Sequence, residues 1–321
     1  MNTKFLNVYK LSDDEKNEMK YLSDLLLQVS PHDHVDSFIT IAKTASKSLP
    51  VLFKTFLTNF ISNNLTDDIA IIQNLPYDVN IQTPDNNNYF IGEKTMLSRC
   101  QAIINEYIGE MISYQAEAHG RLFQDMVPNK KLMTTQTSLG SKIELELHTE
   151  QAFSDLKPDF LCLSCLKGDE NAKTYYLHID DIIRNLSEED SSLLKKELWK
   201  IGVDLSFIMN GCSSEIRGPV SIINDNNLVF DQDLMVGMSE EAKFIIQKII
   251  DIYYNHRKFH ILKPGEALII NNKKLVHGRA SFEPLFDGND RFIIRSFIMN
   301  NIDNIENKTS LHSRMIGLQY S

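Results

Sequence analysis

The run Lys142-Ile-Glu-Leu-Glu-Leu-His-Thr-Glu150 alternates apolar and polar residues without a break, and a β-strand is the structure that has this period. Ile143, Leu145 and Leu147 share one face, which demands a core to bury it. Glu144, Glu146, His148 and Glu150 share the other. An imidazole and a carboxylate therefore project to the same side, with α-carbons about 7 Å apart. Such a strand needs partners, and β-type runs recur at 160–166, 173–177, 219–223, 260–262, 267–270 and 291–299, interrupted by a helix predicted over 240–254.

The amino-terminal third has a different texture. Helical spacing predicts helices over 13–27, after the cap-like Ser12, and over 35–49 and 51–61, punctuated by Pro31 and Pro50. Residues 67–88 are β-like and then loop, and 96–116 return to helix. No repeat, low-complexity tract or flexible linker divides the 321 residues. The expectation is one domain, 1–321, with a largely helical layer over 1–130 around a β core at 131–300.

Composition narrows the function classes. Hydrophobic residues make up 42% and charged residues 24%, enough for a large core. The 33 Lys and Arg against 43 Asp and Glu give a net charge of −10, so no chain-wide basic field exists to attract nucleic acid or an anionic membrane. A small-molecule ligand is the better fit. No apolar run approaches the ~18–20 residues of a membrane span, and residues 1–20 lack a signal-like segment, which points to the cytoplasm. Four cysteines are too few for a disulfide framework. Cys162 and Cys165 form a CxxC, but on a strand residues three apart face opposite ways, so they are expected to be core thiols.

The chemistry concentrates in His148, Glu150 and a distant third group, His277, within Gly265-Glu-Ala-Leu-Ile-Ile-Asn-Asn-Lys-Lys-Leu-Val-His-Gly-Arg279. Two imidazoles and one carboxylate can hold one face of an octahedral ion and leave three positions open, the arrangement suited to Fe(II) and oxygen chemistry. A His-x-Glu pair alone is more often a solvated strand face. Downstream, Arg291 and Arg295 stand four apart and share a side if the strand is regular. Inward, they would recognise two carboxylates. Outward, they would pair with Asp287 and Asp290.

The series His148-x-Glu150, His277-Gly-Arg and Arg291 fourteen positions later resembles the clavaminate synthase-like branch of Fe(II)/2-oxoglutarate-dependent oxygenases, which includes hydroxylases of free arginine, lysine and asparagine. The resemblance covers about 108–298. It includes Gly120-Arg-Leu-Phe-Gln-Asp-Met-Val-Pro128 and the lid-like Asp233-Leu-Met-Val-Gly237. It implies a mainly β fold with flanking helices, built on a double-stranded β-helix (a cupin-like jelly roll) with a lid near 224–240. It further implies that His148, Glu150 and His277 hold Fe(II), that Arg291 and Thr174 bind the distal carboxylate of 2-oxoglutarate, and that O2 is the second cosubstrate. Arg295 would take the substrate's α-carboxylate, Glu117 and Ser138 its α-amino end, and Asp231 and Asp233 a cationic side chain. The implied reaction is hydroxylation of a free L-amino acid at an unactivated β or γ carbon, with Arg or Lys ahead of Asn. The alternatives are desaturation or cyclisation at the same iron, a zinc hydrolase using the same ligands, and a non-catalytic jelly-roll binding protein. Oligomeric state is not legible.

Overall fold

The computed structural model describes residues 5–213, 215–225, 227–303, 305 and 311–319. At its centre lies the strand Phe160–Lys167, buried along its length up to the terminal Lys167. A strand with both faces apolar has to be covered twice. Leu161, Leu163 and Cys165 enter a core shared with Leu147, Tyr176, Leu275 and Val276. Phe160, Cys162 and Leu166 enter a second core with Phe38, Phe53, Phe60 and Ile104 of the amino-terminal helices. The two cysteines therefore point apart, as alternation requires. All four cysteines are buried and free, and burial pushes the Cys162 and Cys165 thiols up to about 12, so they serve packing rather than reactivity.

Around this strand runs a sheet ordered Val8–Lys10, Ile69–Gln73, Ala267–Asn271, Phe160–Lys167, Phe292–Met299, Glu110–Tyr114, Met315–Ile316, with Gln124–Met126 also pairing to Phe292–Met299. It is mixed: the first and last pairings are parallel and the rest antiparallel. A second, antiparallel sheet is ordered Lys258–His260, Thr174–His178, Leu275–Arg279, Leu145–His148. Its apolar side chains share the first core. The third, Met235–Gly237, Trp199–Ile201, Arg217–Val220, is anchored by fully buried Trp199, whose indole N–H donates to the Ala242 carbonyl at 3.0 Å.

The helices Asp13–Asp24, Val35–Ser46, Val51–Ile61 and Glu240–His256 form where the apolar spacing places them. The first opens on a capping box between Ser12 and Glu15, worth about 1 kcal/mol. Three sequence expectations need correction. The helix predicted to reach 116 ends at Ile108, and Glu110–Tyr114 is a strand. Gly109 is the cause: a Cβ there would lie 2.5 Å from the Met299 carbonyl, so the chain passes too close to the sheet to stay helical. The alternating run is strand only over Leu145–His148, because the backbone N–H groups of Ser141 and Lys142 are both drawn to the Met133 carbonyl and that of Thr149 to the Phe230 carbonyl. The run at 219–223 splits into Arg217–Val220 and Ile223–Asn224, since Pro219 has no N–H to extend a ladder.

Candidate active site

His148 and His277 face each other across neighbouring strands of the second sheet as register partners. Gly278 makes the close pairing possible: a Cβ there would sit 2.6 Å from the Leu145 carbonyl and 2.7 Å from the Tyr253 hydroxyl. Glu150 is not on the strand with His148 but in the turn that follows. Fully buried Asn272 fixes that turn, accepting from the Glu150 backbone N–H at 2.8 Å and donating to the Glu150 and Pro158 carbonyls at 3.1 and 2.8 Å. Glu150 Oε1 consequently stands 3.4 Å from His277 Nε2 and 3.9 Å from His148 Nε2. The three ligand atoms lie within 4.8 Å of one another.

The electrostatics suit a cation. Burial alone would raise the Glu150 carboxyl, but Arg295 and the two imidazoles hold it well below the carboxylate range. Burial, then the charge of His148, lowers His277. An ionised Glu150 carboxylate and a His277 ring pushed toward its neutral form are what a metal requires of these donors. His148 Nδ1 lies 2.8 Å from the Glu146 carbonyl, which fixes Nδ1 as the donor and leaves Nε2 as the ligand atom.

His148 and Glu150 open into a cavity of about 580 Å³, also lined by Glu117, Ser138, Asp231, Asp233 and Arg295. Arg295 points inward, away from the alternative pairing with Asp287 and Asp290, and is engaged by the chain's own groups. Its Nε donates to Gln124 Oε1 at 2.9 Å, its Nη1 is 3.4 Å from Glu150 Oε1, and its Nη2 pairs with Glu117. Burial raises the Glu117 carboxyl while Arg295 opposes the rise. The Ser138 carbonyl accepts from Arg279 at 3.1 Å, while its hydroxyl makes no hydrogen bond among the described residues.

Arg295 lines this cavity, whereas Arg291, Thr174 and His277 are buried behind its surface. The register shift at Phe292 and Ile293 skips Leu166 of the partner strand. The strand Phe292–Met299 itself alternates unbroken, with Phe292 and Ile294 in the second core and Ile293 and Phe297 in the first, so alternation leaves Arg291 on the Arg295 side. Arg291 is 7% exposed and, among the described residues, makes no hydrogen bond or ion pair. Thr174 is also buried and is register partner to Arg279, which feels the charge of Arg291.

Asp231 and Asp233 are not an extended pair either. Asp231 forms an isolated bridge with His148, and its Oδ1 accepts from the backbone N–H groups of Asp233 and Leu234 at 3.0 and 2.9 Å, closing a turn. The rest of the lid-like segment, Met235–Gly237, is a sheet strand. Burial pushes Asp231 up to about 6, against the charge of His148.

Three further residues escaped the sequence reading. Glu146 lines the cavity, its carboxyl raised by burial and then by Asp233 and Asp231; its place on the His148 face of the alternation was the available signal. Asp204 lies too far along the chain for any spacing argument to reach, whereas Gln124 stands inside the segment 120–128 that carried the resemblance, without a role assigned to it there; both line the cavity.

No protein-family model matches the chain. It is 39% identical over 319 residues to L-lysine 3-hydroxylase of Catenulispora acidiphila, covering 97% of this chain and 89% of that protein. It is 26% identical over 298 residues to clavaminate synthase 2 of Streptomyces clavuligerus, covering 88% and 89% respectively. Among solved structures, asparagine oxygenase in complex with Fe(II), 2S,3S-3-hydroxyasparagine and succinate superposes with a TM-score of 0.90 at 22% identity, over 97% of this chain and 99% of that one. The chain belongs to the clavaminate synthase-like family of Fe(II)/2-oxoglutarate-dependent oxygenases.

Proposed function

We propose that this protein hydroxylates free L-lysine at carbon 3, with Fe(II) held by His148, Glu150 and His277 and the distal carboxylate of 2-oxoglutarate held by Arg291 and Thr174. The observation that carries the reading is the polarity of the cavity. On the Glu150 side stands the Arg295–Glu117 pair, and on the His148 side stand three acids, Glu146, Asp231 and Asp233. A zwitterionic head group matches the first, carboxylate to Arg295 and ammonium to Glu117 with Ser138. A distal ammonium matches the second. Glycine-like or amide substrates would leave the acids without a counterion.

Arg291 supports the cosubstrate assignment. A buried guanidinium without a partner costs several kcal/mol unless an anion joins it, and the distal carboxylate of 2-oxoglutarate is such an anion. When bound, iron, 2-oxoglutarate and O2 supply the oxidising power: one oxygen goes to the substrate C–H to give C–OH, the other to succinate, and CO2 leaves. The chain's own residues do the placing. Arg295 and Glu117 fix the head, the acids fix the tail, and the carbon between them faces the triad. The 39% identity to a lysine 3-hydroxylase agrees with that choice of tail and carbon.

The same reading takes the two larger sheets as the walls of a double-stranded β-helix within one oxygenase domain, and the cytoplasm as its place of work; among the described residues no helix is long and apolar enough to cross a membrane. The test is turnover with Fe(II), 2-oxoglutarate and a panel of free amino acids, read by mass and by NMR of the product. Lysine should gain one oxygen at carbon 3. A loss of two hydrogens instead would make the enzyme a desaturase, and turnover of asparagine in preference to lysine would refute the tail assignment.

A further inference from the structure

We infer that Arg279 is a positioning residue that couples cosubstrate binding to the wall of the amino-acid cavity; this rests on Arg291 being the 2-oxoglutarate anchor. Arg279 lies two residues beyond His277 on the same strand, and so on the same face of the second sheet. It is buried, with 5% exposure. Its Nη1 donates to the Ser138 carbonyl at 3.1 Å, its Nη2 to the Gly140 carbonyl at 2.6 Å, and its Nε to the Ala280 carbonyl at 3.2 Å. Residues 135–139 line the substrate cavity, and this one planar fork ties the end of that wall to the strand that carries a metal-ligand candidate. Lysine could not reproduce it, because a single ammonium does not span two carbonyls in fixed directions.

No carboxylate pairs with Arg279 among the described residues. The formal charge that acts on it is that of Arg291, a second buried guanidinium. Both guanidiniums stand at the Phe282 ring, Arg279 at 5.1 Å and Arg291 at 5.9 Å from its centroid. With no anion present the two cations oppose each other, and Arg279 is held by carbonyl dipoles and that ring. A carboxylate seated on Arg291 turns mutual repulsion into a cation–anion–cation arrangement, and Arg279 can then grip the wall without an opposing field. The cosubstrate should thus order the wall that presents Ser138 and raise affinity for the amino acid; by reciprocity the amino acid raises affinity for the cosubstrate.

The experiment uses the full-length, Fe(II)-loaded protein without oxygen. Calorimetry measures lysine binding with and without 2-oxoglutarate, and hydrogen exchange follows residues 132–140. In the wild type, 2-oxoglutarate should tighten lysine binding roughly fivefold or more and slow exchange in that segment. In Arg279→Met, 2-oxoglutarate should bind at least as well as before, with both effects lost. Arg279→Lys keeps the charge but not the fork, should behave in the same way, and carries the test should the Met variant fold poorly. Wild-type coupling and protection in the Lys variant would overturn the inference, as would loss of 2-oxoglutarate binding itself in Arg279→Met, which would make Arg279 a cosubstrate ligand. Undiminished 2-oxoglutarate binding in Arg291→Ala would instead overturn the anchor assignment on which the inference stands.

Discussion

His148 and His277 are register partners on adjacent antiparallel strands, with ring centroids 4.4 Å apart. Two of the three candidate ligands are therefore placed by sheet pairing, whereas the third, Glu150, depends on a turn. The turn is the weaker anchor, and it hangs on Asn272. Asn272→Ala removes one acceptor from the Glu150 N–H and two donors to carbonyls, all buried. Iron affinity should fall by roughly 10–100-fold, the usual cost of losing an outer-shell partner. Anaerobic metal titration reads it; unchanged affinity would remove Asn272 from the site.

Replacing Glu150 by Ala should cut iron affinity further still and abolish oxygen-dependent succinate release. The substitution also deprives buried Arg295 of one of its two carboxylates, so metal-free stability should fall alongside. Near-normal turnover in this variant would refute the triad.

The two arginines should differ in sign. Arg291→Met removes a buried cation that has no hydrogen-bond or ion-pair partner among the described residues, so the cosubstrate-free protein should melt higher than wild type while its 2-oxoglutarate KM rises. Arg295→Met leaves Glu117 and Glu150 without their cation, and breaking a buried pair costs about 3–5 kcal/mol. That variant should melt lower and bind lysine poorly. Thermal melts with matched kinetics separate them, and the same defect in both would undo the division of roles.

Asp231 sets a pH dependence. Its folded value is about 6, above the ordinary value of about 3.9. The folded state then binds the proton more tightly than the unfolded one, and this group's contribution to stability declines as pH rises from about 4 to 6. In metal-free protein, Asp231→Asn should be more stable than wild type at pH 7, with the gap closing toward pH 4. Lysine affinity in the wild type should grow through the same window, because the ammonium needs the ionised acid, while 2-oxoglutarate binding stays flat.

What the sequence made legible is whatever repeats with a fixed period or sits inside a short motif. The alternation of 142–150 exposed the His148 face, the opposed cysteines followed from strand parity, and Ser12 with Glu15 marked the first helix. What stayed hidden depends on contacts between distant segments. Gly109 ends its helix because Met299 lies beside it. Arg295 is engaged by Glu117, Glu150 and Gln124, which come from three segments that no spacing joins. Asp231 and Asp233 curl into a turn because backbone N–H groups compete for the Asp231 carboxylate that spacing alone offered to a ligand.

That competition makes Glu146 and Asp233 the residues to test for substrate choice. Asp231 Oδ1 is committed to two backbone donors, while the Glu146 and Asp233 carboxylates have no hydrogen-bond donor or ion-pair partner among the described residues. Glu146 stands two residues before His148, and its carboxyl is raised by burial and by both aspartates, so the three acids act on one another across a small volume. A bound ammonium would relieve that repulsion. Each of Glu146→Gln and Asp233→Asn should therefore raise the lysine KM by about tenfold, the loss of one charge-assisted contact, with 2-oxoglutarate binding unchanged. The double variant should lose more and gain relative activity toward asparagine or glutamine, whose amides need hydrogen bonds rather than a counterion. Lysine kinetics indifferent to both substitutions would place the ammonium elsewhere in the cavity, and the same panel run on Asp204→Asn would show whether the Glu117 side holds it instead.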